Sequence, residues 1–335
     1  MATLADVARR AGVSPATASR VINGSSKPVA GELRERVLRA VADLRYVPNA
    51  HAQLLARPQR SVVGVVVHDV SDPYFAELTR GLQRVATEHG RLAIICNSYR
   101  DPERELEYVD LLRAQQVAAI VLAGSGYHDD EVNALLDERL AAYAATGGRV
   151  AVIGWHKHRG DAVLPANQEG ARLLGAELRR LGHRRVGVVA GPVALTTTTD
   201  RVAGLYEGLA EPLPMERIHY ADFTRDGGAR ATAELLDAVP GLTAIVALND
   251  SMAVGALAVL KERGIRVPEQ MSLVGFDDMP IAADVTPALT TVRLPLAELG
   301  ARAMSLALEP AADRDRAETL PAELVRRDSL GPAPA

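Results

Sequence analysis

From Ser61 onward the sequence alternates between short apolar runs and amphipathic stretches of helical length, and this alternation constrains the fold more than any other feature. Continuous apolar runs are typical of strands buried on both faces, and helices between them favour a parallel sheet covered on both sides. The number of runs indicates two sheets, hence two similar lobes. The runs are SVVGVVV, RLAIICN, VAAIVLAG, RVAVIGW, RRVGVVAG, LTAIVALND and MSLVGFDD.

The first sixty residues carry a different pattern, that of three short helices. Thr3 is a helix N-cap with Asp6 at the third helical position, and Gly12 supplies a turn. Ser14 is a second N-cap, with Pro15 at the first helical position, where a missing N–H costs nothing. Two helices joined by a glycine turn, with a third behind them, predict a helix-turn-helix unit whose second helix enters the DNA major groove. The third helix is expected from Glu32 to Leu44, with its buried stripe at Val37, Leu38, Val41 and Leu44.

Charge divides along the same line. Ten Lys and Arg residues face four acidic ones in the first sixty positions, a net charge of +6, whereas the remaining 28 basic and 38 acidic residues give −10. A basic head on an acidic body is the pattern expected when one domain meets phosphate and the other does not. The single cysteine, Cys96, excludes an internal disulfide and fits a reducing compartment.

The head also carries a specific family resemblance. The run TLADVARRAGVSPATASRVING, followed by RVLRAVADLRYVPNAHAQLLA, resembles the DNA-binding head of the LacI/GalR family of bacterial repressors, and the likeness extends over nearly the whole chain. The resemblance implies an α/β fold: an N-terminal all-α helix-turn-helix head plus two doubly wound parallel-sheet lobes of periplasmic-binding-protein type. In that fold the chain crosses between lobes three times, here expected near 160, 291 and 319. The implied divisions are 1–46 for the head, 47–60 for a hinge helix and linker, 61–160 with 291–318 for the N-lobe, and 161–290 with 319–330 for the C-lobe.

DNA contacts follow from the resemblance position by position. Pro15 and Ala16 stand where the family reads base edges, and both offer only apolar contact and fit. Arg20 is therefore the main candidate for direct readout, because a guanidinium can bridge two acceptors on guanine. Further contacts that fix the register on the duplex are expected from Thr3, Leu4, Ser14, Thr17, Ser19, Asn23 and Tyr46.

A short helix is expected after Pro48, with Asn49 as its cap. Isolated helices of fewer than roughly 12 residues are marginal in water, so this segment should order only with a partner. In the family, two such helices pack together in the minor groove, where a leucine kinks the DNA. By position Leu55 is that wedge, and Asn49 and Ala52 accompany it. Gln53 and Leu54 depart from the family pattern, and a buried linker contact is the alternative for this segment.

Polar and aromatic residues follow the ends of several predicted strands. Ligands of open parallel sheets bind outside the carboxyl ends of the strands, so these residues are the candidate effector site. The resemblance makes Arg201, Asn249 and Asp277 the hydrogen-bonding clamp. A carboxylate, an amide and an aromatic face also suit a hydroxyl-rich sugar on general grounds. The remaining candidates are Asp72, Tyr74, Phe75, Asn97, Ser125 and Phe223.

Other functional classes find little support in the sequence. Neither a P-loop nor a G-x-S-x-G motif is present, and Gly124-Ser125-Gly126 lacks the rest of a dinucleotide fingerprint, so no enzyme activity and no cofactor are expected. The His156–Arg159 segment lacks a cysteine or carboxylate partner, so we expect a solvated loop and no metal. A sugar-binding transport protein would need an export signal, whereas the N-terminus lacks an apolar h-region; a cytoplasmic, nucleoid-associated protein is expected.

These observations predict a sequence-specific repressor whose operator affinity is controlled by a small molecule, a mono- or disaccharide being favoured. The expected assembly is a homodimer on a pseudo-palindromic operator, because the C-terminal DSLGPAPA offers no heptads for a larger coiled-coil assembly. Two variations stay open within the family: a corepressor such as a nucleobase, and catabolite control through a phosphorylated partner protein. The sequence does not identify the effector or the operator.

Overall fold

The computed structural model describes residues 2–23, 29–46, 62–156, 160–211, 213–312 and 314–334. The predicted DNA contacts Asn49, Ala52 and Leu55 lie outside the described residues, as does the side chain of Asn23. The chain divides into two compact units, Met1–Arg60 and Ser61–Ala335.

The described part of the first unit contains three helices around a small apolar core. They are α1 (Leu4–Ala11), α2 (Pro15–Asn23) and α3 (Gly31–Asp43). Thr3 caps α1 in a reciprocal capping box with Asp6, as the sequence predicts. On α3 the buried side chains are Val37 and Ala40, whereas Leu38 is 48% exposed. The stripe led by Val37 continues at helical spacings of three, four and seven, and Leu38 falls beside it, which corrects the predicted burial of Leu38.

The N-lobe of the second unit is a six-stranded parallel sheet in the order β11-β5-β4-β3-β1-β2. All of its neighbouring strands pair in parallel. The strands are β1 (Val62–Val67), β2 (Leu92–Asn97), β3 (Ala119–Ala123), β4 (Arg149–Ile153), β5 (Asp161–Pro165) and β11 (Ala317–Leu320). The helices are α4 (Pro73–Glu88), α5 (Pro102–Ala114), α6 (Asp130–Ala145) and α12 (Leu296–Leu308).

The C-lobe repeats this design around a four-stranded parallel sheet in the order β7-β6-β8-β9. Its strands are β6 (Val186–Ala190), β7 (Ile218–Tyr220), β8 (Ala244–Ala247) and β9 (Ser272–Val274). Its helices are α7 (Asn167–Arg180), α8 (Thr196–Leu209), α9 (Arg225–Ala238), α10 (Asp250–Glu262) and the short α11 (Ile281–Asp284), with a 3₁₀ turn at Met215–Arg217. An antiparallel pair, β10 (Thr291–Arg293) with β12 (Glu323–Val325), runs beside the crossings.

Helices cover both faces of each sheet, as continuous apolar strands require. In the N-lobe α4 packs against α12 on one face, and α5 packs beside α6 on the other. The α4–α12 crossing is close enough to require glycine: a Cβ on Gly81 would lie 1.8 Å from the carbonyl oxygen of Ala297. In the C-lobe the corresponding pairs are α7 with α8 and α9 with α10.

Strands β5 and β11 both hydrogen-bond into the N-lobe sheet, so the chain leaves that sheet after Pro165 and after Leu320. These points lie within a few residues of the crossings expected near 160 and 319. The polar ends of both strands hid this membership, because Asp161 and Glu318 interrupt the apolar pattern of a buried strand. None of the helices in the described part of the chain is both long and apolar enough to cross a membrane.

Candidate functional site

The second helix of the head presents its N-terminal end to solvent. Ser14 accepts a hydrogen bond from the backbone N–H of Thr17 at 3.1 Å, which fixes the start of α2. Pro15, Ala16 and Arg20 are exposed on this helix. Arg20 makes no hydrogen bond or ion pair with any other described residue, so its guanidinium is available for a base edge. Among the other predicted contacts, Thr3 is exposed, Ser19 is half-buried, and Leu4 and Tyr46 also pack against the core.

Some of the basic side chains of the head are occupied within the head itself. Arg9 pairs with Asp6 at 3.3 Å, and Arg10 pairs with Asp43 at 3.1 Å. Arg36 donates to the backbone carbonyl of Ala11 in the turn before α2. The arginines that remain without such contacts to described residues are Arg20, Arg34, Arg39 and Arg45.

In the second unit the carboxyl ends of the two sheets face each other across a cleft. Each lining residue follows the end of a parallel strand, which is where open sheets bind ligands. The lining residues are His68, Asp72, Tyr74, Phe75, Arg100 and Ser125 from the N-lobe, and Leu195, Thr197, Arg201, Phe223, Asn249 and Asp277 from the C-lobe.

Arg201 and Asp277 form a buried ion pair at the C-lobe side of the cleft. Nη2 of Arg201 donates to Oδ1 of Asp277 at 2.8 Å, and both side chains are almost fully buried. Arg201 also donates from Nε to Asn167 at 2.9 Å and lies 3.9 Å from the ring centroid of Phe276. Burial raises the pKa of Asp277 to about 7, even though the charge of Arg201 acts to lower it. The pair is therefore rigidly held and able to both donate and accept hydrogen bonds.

Asp277 is joined directly to the crossing strands. Asp277 and Asp278 adopt left-handed backbone conformations, with φ of 102° and 55°. Asp278 accepts from Arg293 on β10 at 2.7 Å and from Arg327, which follows β12, at 2.6 Å. Such strain in non-glycine residues persists only where surrounding contacts hold it. Asp277, which lines the cleft, is thus one residue away from the ion pairs that join Asp278 to the crossing strands.

Asp250, the first residue of α10, makes a second link to β10. Its carboxylate accepts from the hydroxyl of Thr291 and from the backbone N–H of Met279, both at 2.7 Å. Burial, followed by the nearby charge of Asp277, raises the pKa of Asp250 well above its usual range. The carboxyl groups of Asp250 and Asp278 therefore both contact β10.

Asn249 caps α10 and so has only part of its amide left for a ligand. Its Oδ1 accepts from the backbone N–H of Met252 at 2.8 Å, while Nδ2 makes a 3.5 Å contact with the carbonyl of Phe223. The amide N–H groups of Asn249 are therefore its available donors. Phe223 is buried and supplies an apolar wall beside them.

The N-lobe wall combines aromatic rings with a second ion pair. Phe75 packs edge-on against Tyr74, with ring centroids 5.0 Å apart. Asp72 caps α4 by accepting from the N–H of Tyr74 at 3.1 Å, and it pairs with Arg100 at 3.2 Å. Burial raises the pKa of the Tyr74 phenol and that of Asp72, so this wall disfavours added negative charge.

A buried polar cluster behind this wall was missed by sequence reasoning. His68 lies 3.2 Å from Glu105, whose Oε1 also accepts from the hydroxyls of Tyr127 at 2.8 Å and Ser98 at 3.1 Å. Burial acts to raise the pKa of Glu105. The hydrogen bonds from His68 and Tyr127, together with the charge of His68, lower the pKa by more, so its net shift is downward. Glu105 therefore holds a negative charge that faces His68. The available signal was that His68 directly follows an apolar strand.

Direct contacts join the two lobes at one side of the cleft. The hydroxyl of Ser125 lies 2.5 Å from that of Thr197, and Tyr127 pairs with Leu195 in an antiparallel bridge. His128 lies 2.8 Å from the hydroxyl of Thr199. Ser125 therefore contacts the C-lobe across the cleft in this arrangement. Thr196–Thr199 is the C-lobe segment whose hydroxyls contact the N-lobe.

Two expectations from the sequence do not hold in the structure. Asn97 ends β2 but is not among the described residues that line the cleft, because the chain turns beyond it and brings in Arg100 instead. His156 is buried, with Nε2 3.1 Å from the carbonyl of Gly124, and does not belong to a solvated loop. Residues 157–159 lie outside the described residues. In the described part of the chain, no group of three His, Cys, Asp or Glu residues is arranged to hold a metal ion.

Comparison with known proteins joins the head and the cleft in one family. The model for bacterial regulatory proteins of the lacI family matches residues 3–49, and that for the periplasmic binding protein-like domain matches residues 176–330. The transcriptional regulator GalS of Salmonella typhimurium is 37% identical over 98% of this chain and 97% of its own length. The chain belongs to the lacI family.

Solved structures of lacI-family regulators share the whole architecture. A lac repressor dimer bound to operator and the anti-inducer ONPF has a TM-score of 0.84 at 28% identity, over 98% of both chains. The transcriptional regulator CelR in complex with cellobiose has a TM-score of 0.71 at 30% identity, over 98% of this chain and all of CelR. This lacI-family member is accordingly a DNA-binding transcriptional regulator with helix-turn-helix and periplasmic-binding-protein-like parts.

Proposed function

We propose that this lacI-family regulator is a repressor whose operator affinity is set by an uncharged sugar bound in the cleft between its lobes. The observation that carries the proposal is the pairing of charges there. Arg201 faces Asp277, Arg100 faces Asp72, and His68 faces Glu105. Because the guanidinium groups of Arg201 and Arg100 each already have an acidic partner, an anionic ligand would find no unpaired arginine among these groups. A hydroxyl-rich neutral ligand can use both members of each pair.

The walls of the cleft agree with this choice. Phe75, Tyr74 and Phe223 offer aromatic surfaces that cover the apolar face of a sugar ring, while the amide of Asn249 and the Arg201–Asp277 pair donate to and accept from hydroxyls. The likeness to CelR, which is solved in complex with cellobiose, supports a sugar effector by relationship.

The proposed assembly is a homodimer on a pseudo-palindromic operator, supported by likeness to the operator-bound lac repressor dimer. Arg20 reads a base edge, and Leu55 wedges into the minor groove from a hinge helix that orders on DNA. Effector binding changes the closure of the lobes, and through the crossing strands it shifts the population of DNA-competent dimers. Release of the operator is the proposed response to the sugar.

The test measures operator binding by fluorescence anisotropy while neutral sugars, sugar phosphates and nucleobases are added in turn. We expect one neutral sugar to release the operator from the wild type and to leave the Asp277→Ala variant bound. Asp277→Ala should bind the operator normally without sugar, because Asp277 lies in the second unit.

Other outcomes would contradict the proposal. Tighter DNA binding with a nucleobase would favour a corepressor, and a response only to a phosphorylated protein would favour catabolite control. A response of the Asp277→Ala variant would place the effector elsewhere. We further propose that the bound sugar is not turned over; recovery of the ligand in altered form would contradict that.

A further inference from the structure

Arg100 lies where the aromatic walls of the two lobes meet. It follows β2 in the N-lobe and lines the cleft. Its guanidinium carbon lies 5.9 Å from the ring centroid of Phe75 in the N-lobe and 5.9 Å from that of Phe223 in the C-lobe. Arg100 therefore reaches from the N-lobe to the aromatic wall of the C-lobe, in the cleft that Arg201 and Asp277 also line.

The hydrogen bonds of Arg100 are incomplete. Its Nη2 donates to Asp72 at 3.2 Å, whereas its Nε is buried and has no acceptor among the described residues. A buried N–H without a partner is costly, and such groups in native structures call for an explanation. An acceptor supplied by a ligand in the cleft would satisfy this donor.

The backbone holds Arg100 in place. Tyr99 and Arg100 both adopt left-handed conformations, with φ of 56° and 60°. The N–H of Tyr99 donates to the carbonyl of His68 at 2.6 Å, and Asp101 caps the following helix α5. Two successive non-glycine residues in this region are unusual and occur where a functional side chain must be positioned.

We propose that Arg100 is a specificity-determining residue of the effector site. Its guanidinium donates a hydrogen bond to a hydroxyl or ring oxygen of a neutral sugar held between Phe75 and Phe223. The sugar is thus held from the N-lobe by Arg100 and from the C-lobe by Arg201. This inference rests on the proposed function, and it adds the residue that reads the side of the sugar that faces the N-lobe.

A purely structural role of Arg100, as the counterion of Asp72, makes a different prediction. In that case, replacement would lower stability and weaken all ligands equally. A direct hydrogen bond would instead make the loss depend on one oxygen of the sugar, because a site built to bond a hydroxyl discriminates against an analogue without it. Selectivity among analogues therefore separates the two roles.

The experiment compares Arg100→Gln and Arg100→Lys with the matched control Arg104→Gln. Arg104 lies four residues further on, is half exposed, and contacts Asp101 and Tyr99 outside the cleft. Calorimetry on the full-length protein measures binding of neutral sugars, sugar phosphates and nucleobases. We expect Arg100→Gln to weaken the sugar at least tenfold and Arg100→Lys to weaken it less. Arg104→Gln should match the wild type.

Deoxy and fluoro analogues of the bound sugar complete the test. One analogue should bind the wild type and Arg100→Gln equally, since both then lack the same hydrogen bond. Wild-type sugar affinity in Arg100→Gln, or an equal loss for every analogue, would overturn the role of Arg100 while leaving the sugar effector intact. A wild type that binds only nucleobases, or none of the probes, would overturn the proposed function and this inference with it.

Discussion

At Asp277, burial raises the pKa of the carboxyl group, whereas the charge of Arg201 acts to lower it. Because burial raises its pKa to about 7, the folded protein keeps this proton at pH values where the unfolded chain, at 3.8, has lost it. The free energy of unfolding should therefore fall as pH rises from about 4 to 7, by roughly 4 kcal/mol at most from this residue. Denaturant unfolding of the wild type and Asp277→Asn between pH 4.5 and 8 measures the difference. Parallel pH curves for the two proteins would contradict the raised pKa.

At single positions, sequence reasoning succeeded where a strand end fixes the location. Asn249 and Asp277 closely follow C-lobe strands and Arg201 lies on the helix after β6, and the structure brings all three to one cleft. Sequence reasoning failed where a backbone turn determines which side chain reaches the cleft. Asn97 lies at the predicted end of β2, but the left-handed turn after it has no glycine to signal it, so Arg100 was overlooked.

Thr196–Thr199, at the start of α8, shows how one element can hold the lobes together. Thr197→Val removes the hydroxyl that meets Ser125 across the cleft and keeps the shape of the side chain. We expect three- to tenfold weaker effector binding, since a typical hydrogen bond contributes about 1 kcal/mol to the closed arrangement. Titration calorimetry measures this loss.

The neighbouring Thr198 provides the control for that element. Its hydroxyl is buried and has no partner among the described residues, so Thr198→Val should bind the effector as the wild type does and be equally or more stable. Equal losses in both variants would show that the helix start was disturbed and that the contact across the cleft was not the cause.

Helices and strands were predictable wherever local chemistry matched tertiary packing. The capping box at Thr3 and the N-cap at Ser14 are satisfied within a few residues, so the sequence alone determines them. The expected boundary near 160 falls just before β5, because only partners distant in sequence decide the sheet to which this strand belongs. The charged Asp161 at its start does not resemble a buried strand.

At the scale of the whole molecule, the separation of charge between the two units predicts two different responses to salt. Arg20, Arg34, Arg39 and Arg45 are the arginines of the described head without internal contacts. If the three that are not assigned to a base edge, Arg34, Arg39 and Arg45, neutralise six phosphates in a dimer, the logarithm of operator affinity should fall with that of salt at a slope of about −5.

Effector affinity should change little over the same salt range, because the charges of the cleft are buried and paired and the proposed ligand is neutral. Two titrations between roughly 50 and 200 mM salt, the range over which phosphate contacts weaken, test this prediction. Anisotropy measures the salt dependence of operator affinity, and calorimetry measures that of sugar affinity. A sugar affinity that falls as steeply as operator affinity would indicate an anionic effector. A shallow operator slope would mean that the free arginines of the head do not meet phosphate.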